Sequence, residues 1–212
     1  ALIMVGGDGE NAIAVAPGAN DALAPADIDA LPDEVVASAA VWLTSLEIPL
    51  ETAVRGLQRA RAAGLTTVLN PAPAGQLRER KDVLRYVDVL TPNESEADLL
   101  TGVDCSTPEG VLSAARHLRQ EGCRQCIVTL GASGCLVVDD EVTEIAGHRV
   151  MAIDATAAGD AFNGVLAVGL AEGRSLAEAA RWANRAAALA VTRRGAQPSL
   201  PRRSELCENQ AT

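Results

Sequence analysis

The sequence predicts an α/β domain built on a largely parallel sheet, and three observations carry that prediction. Short, continuously apolar runs alternate with segments of helical period, the character of strands covered on both faces by helices. Polar and glycine-rich punctuation follows those runs, at the strand ends where such sheets bind ligands. The length of 212 residues, with 48% hydrophobic and 22% charged residues, suits one soluble domain with a small appendage.

The elements follow in order. Around a Gly/Asp turn, "ALIMV" and "AIAVA" read as a β-hairpin, so residues 1–20 form the appendage and 21–212 the α/β body. "AVWLTS" (40–45), "TTVLN" (66–70) and "YVDVL" (86–90) are strands, and residues 49–64 have helical spacing, with Pro near the start and Gly at the end. Residues 106–122 form a helix with Thr107 as N-cap, Pro108 in its first turn and Gly122 as stop. "CIVTL" and "CLVVDD" are strands joined by "GASG". Two helices finish the body, the second opening with a Ser175/Glu178 capping box.

Charge and composition narrow the function. A formal charge of −10 argues against nucleic acid or an anionic membrane as partner. No apolar run approaches the roughly 18–20 residues of a membrane span. The start lacks a basic n-region, so it does not read as a signal peptide but as a chain that begins inside a structural element. Five cysteines, irregularly spaced, predict reduced thiols in a cytoplasmic protein. "CRQC" has redox or zinc spacing, but no second pair accompanies it, and Cys126 reads as a buried strand residue.

Three segments can carry chemistry, and each has a plain reading beside a functional one. In "IDATAAGDAFNG", Asp154 and Asp160 flank small residues where a helix begins. Asp160 is either a helix cap or a base beside an anion site made by the helix N-terminus. In "TPNESEADLL", Asn93 and Glu96 are either a capping box or a pair facing the strand-end cleft, with Glu96 orienting waters of Mg²⁺. "TLGASG" (129–134) is either an ordinary hairpin or a loop whose small residues let backbone approach a nucleotide. Neither a Walker A loop nor G-x-G-x-x-G is present, which argues against an NAD-dependent oxidoreductase.

Taken together and in this order, "TPNESEA", "VTLGASG" and "DATAAGDAFNG" resemble the ribokinase family of carbohydrate kinases. "LNPAPA" (69–74) and "VTRRGAQPSLPRR" (191–203) are similar to its ribokinase branch more than to its fructokinase or adenosine kinase branches. The resemblance covers the whole chain and implies a ribokinase-like three-layer α/β/α sandwich with part of a small β lid. It also implies that the family's N-x-D and Gly-Gly sugar-binding motifs precede the hairpin, in a segment absent from this sequence.

By the same resemblance, Asp160 is the base that takes a proton from the sugar's primary hydroxyl. Ala157, Ala158 and Gly159 form the anion hole for the γ-phosphate. Asn93, Thr129, Leu130, Gly131, Ala132, Ser133, Gly134, Gly159, Asp160 and Asn184 fall at ATP-contacting positions, and Glu96 at the Mg²⁺-linked one. Glu47 matches a sugar-hydroxyl ligand. Asp154, Thr156, Ala190, Arg193, Gly195 and Ser199 match a site for an activating K⁺, mostly through backbone carbonyls; without the resemblance, Arg193 reads as a surface charge and Ser199 as a loop residue. The implied activity is ATP-dependent phosphorylation of D-ribose at its 5-hydroxyl, in a homodimer formed through the lid. The alternatives are another sugar or nucleoside as acceptor, or a nucleotide-binding fragment without catalysis.

Overall fold

The computed structural model describes residues 2–5 and 11–207. Strands β1 (Leu2–Val5) and β2 (Asn11–Ala14) pair antiparallel, with Leu2 opposite Ala14 and Val5 opposite Asn11. The expected hairpin strands are therefore present, while the Gly/Asp turn between them lies outside the described residues.

The chain divides into two compact units. One comprises residues 1–16, 132–134 and 145–212, the other residues 17–131 and 135–144. The second unit starts with three short helices, α1 (Ala19–Ala22), α2 (Pro25–Asp29) and α3 (Asp33–Ala37), which no sequence pattern announced. Strand β3 (Val41–Ser45) and helix α4 (Leu50–Ala62) follow. Arg59 of α4 holds the ends of α2 and α3. Its guanidinium donates to the carbonyls of Ile28 and Leu31 and pairs with Asp33 at 2.7 Å, satisfying helix-end groups that would otherwise face water.

Strands β4 (Thr66–Asn70), β5 (Val89–Leu90) and β6 (Gln125–Thr129) continue the sheet, with helices α5 (Glu94–Thr101) and α6 (Pro108–Gln120) both between β5 and β6. The sheet order is β3-β4-β5-β6-β7-β8, with β7 (Gly134–Val138) and β8 (Val142–Ala146) completing it. The pairs β3–β4, β4–β5 and β5–β6 are parallel, and β6–β7 is antiparallel. This is the mostly parallel α/β fold that the apolar runs predicted.

Two strand expectations changed. "YVDVL" supplies only Val89–Leu90, because Lys81–Tyr86 winds into a 3₁₀ turn and Val87 bonds back to Leu84. Asp88, just before β5, instead accepts the backbone N–H of Thr67 at 3.0 Å and its hydroxyl at 2.9 Å. Strand β8 was not anticipated: it interleaves charged and polar residues and is mostly exposed, so it lacks the unbroken apolar signal of β4, whose Thr67, Val68 and Leu69 are buried.

Packing follows the helical period. Leu50, Ala53, Val54, Leu57 and Ala60 form the buried stripe of α4, and Val111, Ala114, Ala115 and Leu118 that of α6. Except for Ala60, which packs with Val36 and Leu65, they meet Leu69, Leu90 and Val128 of the sheet in one core, each large side chain contributing about 1.5–3 kcal/mol on burial. Gly56 leaves room for the half-buried Trp42, since a Cβ there would lie 2.6 Å from the indole. Thr107 caps α6 by accepting the Gly110 N–H at 3.1 Å, as its spacing predicted.

In the other unit, helices α7 (Ala158–Ala171) and α8 (Leu176–Ala190) pack together, and α9 (Arg203–Cys207) ends the described chain. The Ser175/Glu178 capping box forms, with the Glu178 carboxylate accepting the Ser175 N–H at 2.9 Å. Trp182 of α8 has two guanidiniums over its ring, Arg174 at 4.5 Å and Arg203 at 5.6 Å from the centroid. Cys105, Cys123, Cys126 and Cys135 are buried, and none of them is in a disulfide. Among the described residues no helix is long and apolar enough to cross a membrane.

Candidate active site

The candidate residues are divided between the units, so each set is built separately. The first set surrounds the N-terminus of α7. Its N-cap, Ala157, is a non-glycine residue in the left-handed region (φ 62°, ψ 13°), and no side chain caps the helix. The Ala158 N–H, expected in the anion hole, instead turns back to Ala155 at 3.2 Å. The N–H groups of Gly159 and Asp160 have no acceptor among the described residues. A Cβ on Gly159 would meet nothing within 4 Å, so the helix start is open on that side. Asp160 is exposed in the first turn and makes no capping bond. The capping alternative for Asp160 is thus not realised.

The loop leading into α7 is held by Asp154. Its Oδ1 accepts the Thr156 N–H at 2.9 Å and its Oδ2 the Gly195 N–H at 2.8 Å. The Thr156 side chain and these amides hold the Asp154 carboxyl below the usual carboxylate range. The amides of Ile153 and Asp154 both donate to the Val191 carbonyl, at 2.7 and 3.2 Å. Asp154, Thr156 and Gly195 are therefore joined directly. Ala190 accepts the Arg193 N–H at 3.0 Å, while the Arg193 guanidinium pairs with Glu205. Ser199 is fully buried and its hydroxyl donates to Ala196 at 2.7 Å.

The loop residues Ala132, Ser133 and Gly134 pack tightly on residues 145–147. The Gly147 N–H donates to Ser133 at 2.9 Å. A Cβ on Gly134 would fall 2.0 Å from the Ile145 oxygen, and one on Gly147 1.9 Å from the Ala132 oxygen. Buried Asn184 donates to the Ala146 carbonyl at 2.9 Å, fastening this segment to α8. Sequence reasoning missed Gly147 because it follows β8, itself unseen.

In the sheet-bearing unit, the parallel strands bring their carboxyl ends into line, Ser45 beside Asn70 and Asn93 beside Thr129. Glu47 is exposed just beyond β3. Leu130 and Gly131 follow β6. Asn70, not singled out as a ligand, donates to Thr91 at 2.9 Å and ties two of these ends together. Asn93 and Glu96 form a reciprocal box: the Glu96 N–H donates to Asn93 Oδ1 at 2.8 Å, and the Asn93 N–H to Glu96 Oε2 at 2.9 Å. The capping alternative is realised here, and it occupies one carboxylate oxygen. Burial raises the Glu96 pKa against a smaller lowering by the Asn93 amide. No group of three or more His, Cys, Asp or Glu side chains able to hold a metal exists among the described residues.

Comparison with known proteins is consistent along the chain. The ribokinase of Haemophilus influenzae is 39% identical over 209 residues, which are 98% of this chain and 67% of that protein. The crystal structure of ribokinase from Thermotoga maritima superposes with a TM-score of 0.83 at 37% identity, covering 96% of this chain and 66% of that one. Arabidopsis thaliana ribokinase, solved in complex with ribose and ATP, gives 0.83 at 30% identity, covering 96% and 66%. The chain thus spans about two thirds of the length of the relatives it matches. The family model for pfkB carbohydrate kinases matches residues 1–203. With likeness of this extent in both sequence and fold, the chain belongs to the pfkB family of carbohydrate kinases.

Proposed function

We propose that the protein containing this chain transfers the γ-phosphoryl group of ATP to the 5-hydroxyl of D-ribose, giving ribose 5-phosphate and ADP. The observation that carries the reading is the uncapped start of α7, with two open amides and an exposed carboxylate in one turn. It is supported by the family's chemistry and by the ribose and ATP bound to the Arabidopsis relative.

Asp160 accepts the proton of the attacking hydroxyl, whose oxygen forms the new bond to phosphorus as the bond to the ADP oxygen breaks. The amides of Gly159 and Asp160, on the positive end of the helix dipole, stabilise the transferring phosphoryl oxygens. Ala157 and Ala158 leave that approach clear of long side chains. Asn93, Thr129 to Gly134 and Asn184 bind the nucleotide, and Glu47 takes a sugar hydroxyl.

The donor set fits magnesium held mainly by phosphates. Glu96 offers one carboxylate, the expected share of a protein to a Mg²⁺–nucleotide complex. When bound, that ion neutralises charge on the β- and γ-phosphates. The turns at Ala190 to Ser199, fastened to Asp154, fit a potassium ion that rigidifies the loop before α7 from behind. In the same reading residues 1–20 are part of a lid through which two copies pair, and the enzyme works in the cytoplasm.

ADP release by the full-length protein, measured against a panel of pentoses, hexoses and nucleosides, tests the assignment. D-ribose is expected to give the highest kcat/KM, with activation by potassium over a large organic cation at equal ionic strength. A preference for a hexose or a nucleoside would replace ribose as the acceptor.

A further inference from the structure

We propose that Asn163 is a positioning residue for phosphoryl transfer: its side-chain amide sets the peptide group that presents the Asp160 N–H. This rests on the reading of α7 given above. Asn163 sits one turn below the start of α7 and is buried, with 6% of its surface exposed. Its Nδ2 donates to the Gly159 carbonyl at 2.9 Å. That carbonyl and the Asp160 N–H belong to one planar peptide unit. Fixing the oxygen from below therefore fixes the direction of the N–H above, along with the Cα that carries the carboxylate.

The helix alone would hold this peptide less firmly. The first turn has no side-chain cap, Ala157 is in a strained conformation, and the Gly159 N–H that leads into the peptide has no partner among the described residues. A helix start of this kind frays. In α7 the Gly159 oxygen lies four residues before Asn163, where it accepts the backbone N–H of Asn163. The side-chain amide is a second donor to the same oxygen. Two donors on one carbonyl also polarise the peptide and make its N–H a better donor to an anion. A buried amide on a small-residue helix is otherwise a poor choice, because Asn has low helix propensity and a polar group costs free energy to bury.

Asn163→Ala and Asn163→Ser separate this role from packing. Both leave a similar gap, but a helical serine can donate its hydroxyl to the carbonyl four residues back. In the full-length protein Asn163→Ala is expected to lose about 10- to 100-fold in kcat, somewhat less than direct loss of an oxyanion donor. Its KM values for ATP and sugar should stay within about threefold, because the peptide matters chiefly in the transition state. Asn163→Ser should recover most of that loss at a similar melting temperature. Calorimetry supplies a second reading: Asn163→Ala should weaken binding of ADP with aluminium fluoride while leaving ADP alone unchanged. Equal kcat for the alanine and serine variants, or parallel losses for ADP with and without fluoride, would overturn the proposal. Asp160→Asn run alongside keeps the two ideas apart. If Asp160→Asn is inactive while Asn163→Ala matches the parent, only the positioning role fails; if Asp160→Asn stays active, the reading of α7 fails with it.

Discussion

Gly195 donates its N–H to Asp154 Oδ2 at 2.8 Å across 41 residues of sequence, so the turn after α8 holds the loop before α7. Because Thr156 and Gly195 favour the ionised carboxylate, the folded pKa of Asp154 lies below its unfolded value. The stability this supplies is present above the unfolded pKa, about 4, and is lost as pH falls through the folded value. Asp154→Asn should therefore melt lower than the parent at pH 7, with the difference shrinking below about pH 4. Melting curves against pH check this; a constant difference would show that ionisation of Asp154 is irrelevant to the clasp.

Asp160→Asn should lower kcat by about 10²–10⁴-fold while ATP affinity stays within a few-fold, since an amide matches the carboxylate in shape but cannot take the proton. Steady-state kinetics with equilibrium nucleotide binding decides the matter. Retention of more than about a tenth of kcat would remove Asp160 from the role of base.

Glu96→Gln preserves the capping box, because glutamine also accepts the Asn93 amide. The fold should be unaffected, and the magnesium concentration for half-maximal rate should rise several-fold while the sugar KM does not. Superimposable magnesium titrations would leave Glu96 as a helix cap alone.

Ala157→Gly should raise stability by about 1 kcal/mol, because glycine adopts the left-handed conformation at Ala157 without the Cβ clash. Ala157→Val should do the reverse. Chemical denaturation measures both, and equal stability of all three would mean that the turn carries no strain.

What was legible in the sequence is what depends on near neighbours. Thr107 with Gly110, Ser175 with Glu178, and Asn93 with Glu96 are three residues apart, and the structure realises each pairing. The unbroken apolar runs at Val68–Leu69 and Cys126–Val128 announced buried parallel strands. The rest depends on distant partners. The clasp between Asp154 and Gly195 has no local signature, and the helices at residues 25–37 are tied down by Arg59. The left-handed turn at residue 157 would be expected at a glycine, and here it falls on alanine. In "DAFNG" Asp160 is the candidate base, and nothing in the sequence signals the bond from Asn163 to Gly159.

The chain's two indoles are Trp42, pressed on Gly56, and Trp182, with Arg174 and Arg203 over its ring. One falls in each compact unit. Every tryptophan photon the molecule emits therefore originates in a known unit. Replacing either indole by phenylalanine leaves a protein whose emission reports on a single unit, Trp42 on the sheet-bearing one and Trp182 on the one that carries Asp160. Denaturation followed through each lamp in turn then distinguishes one cooperative transition from two.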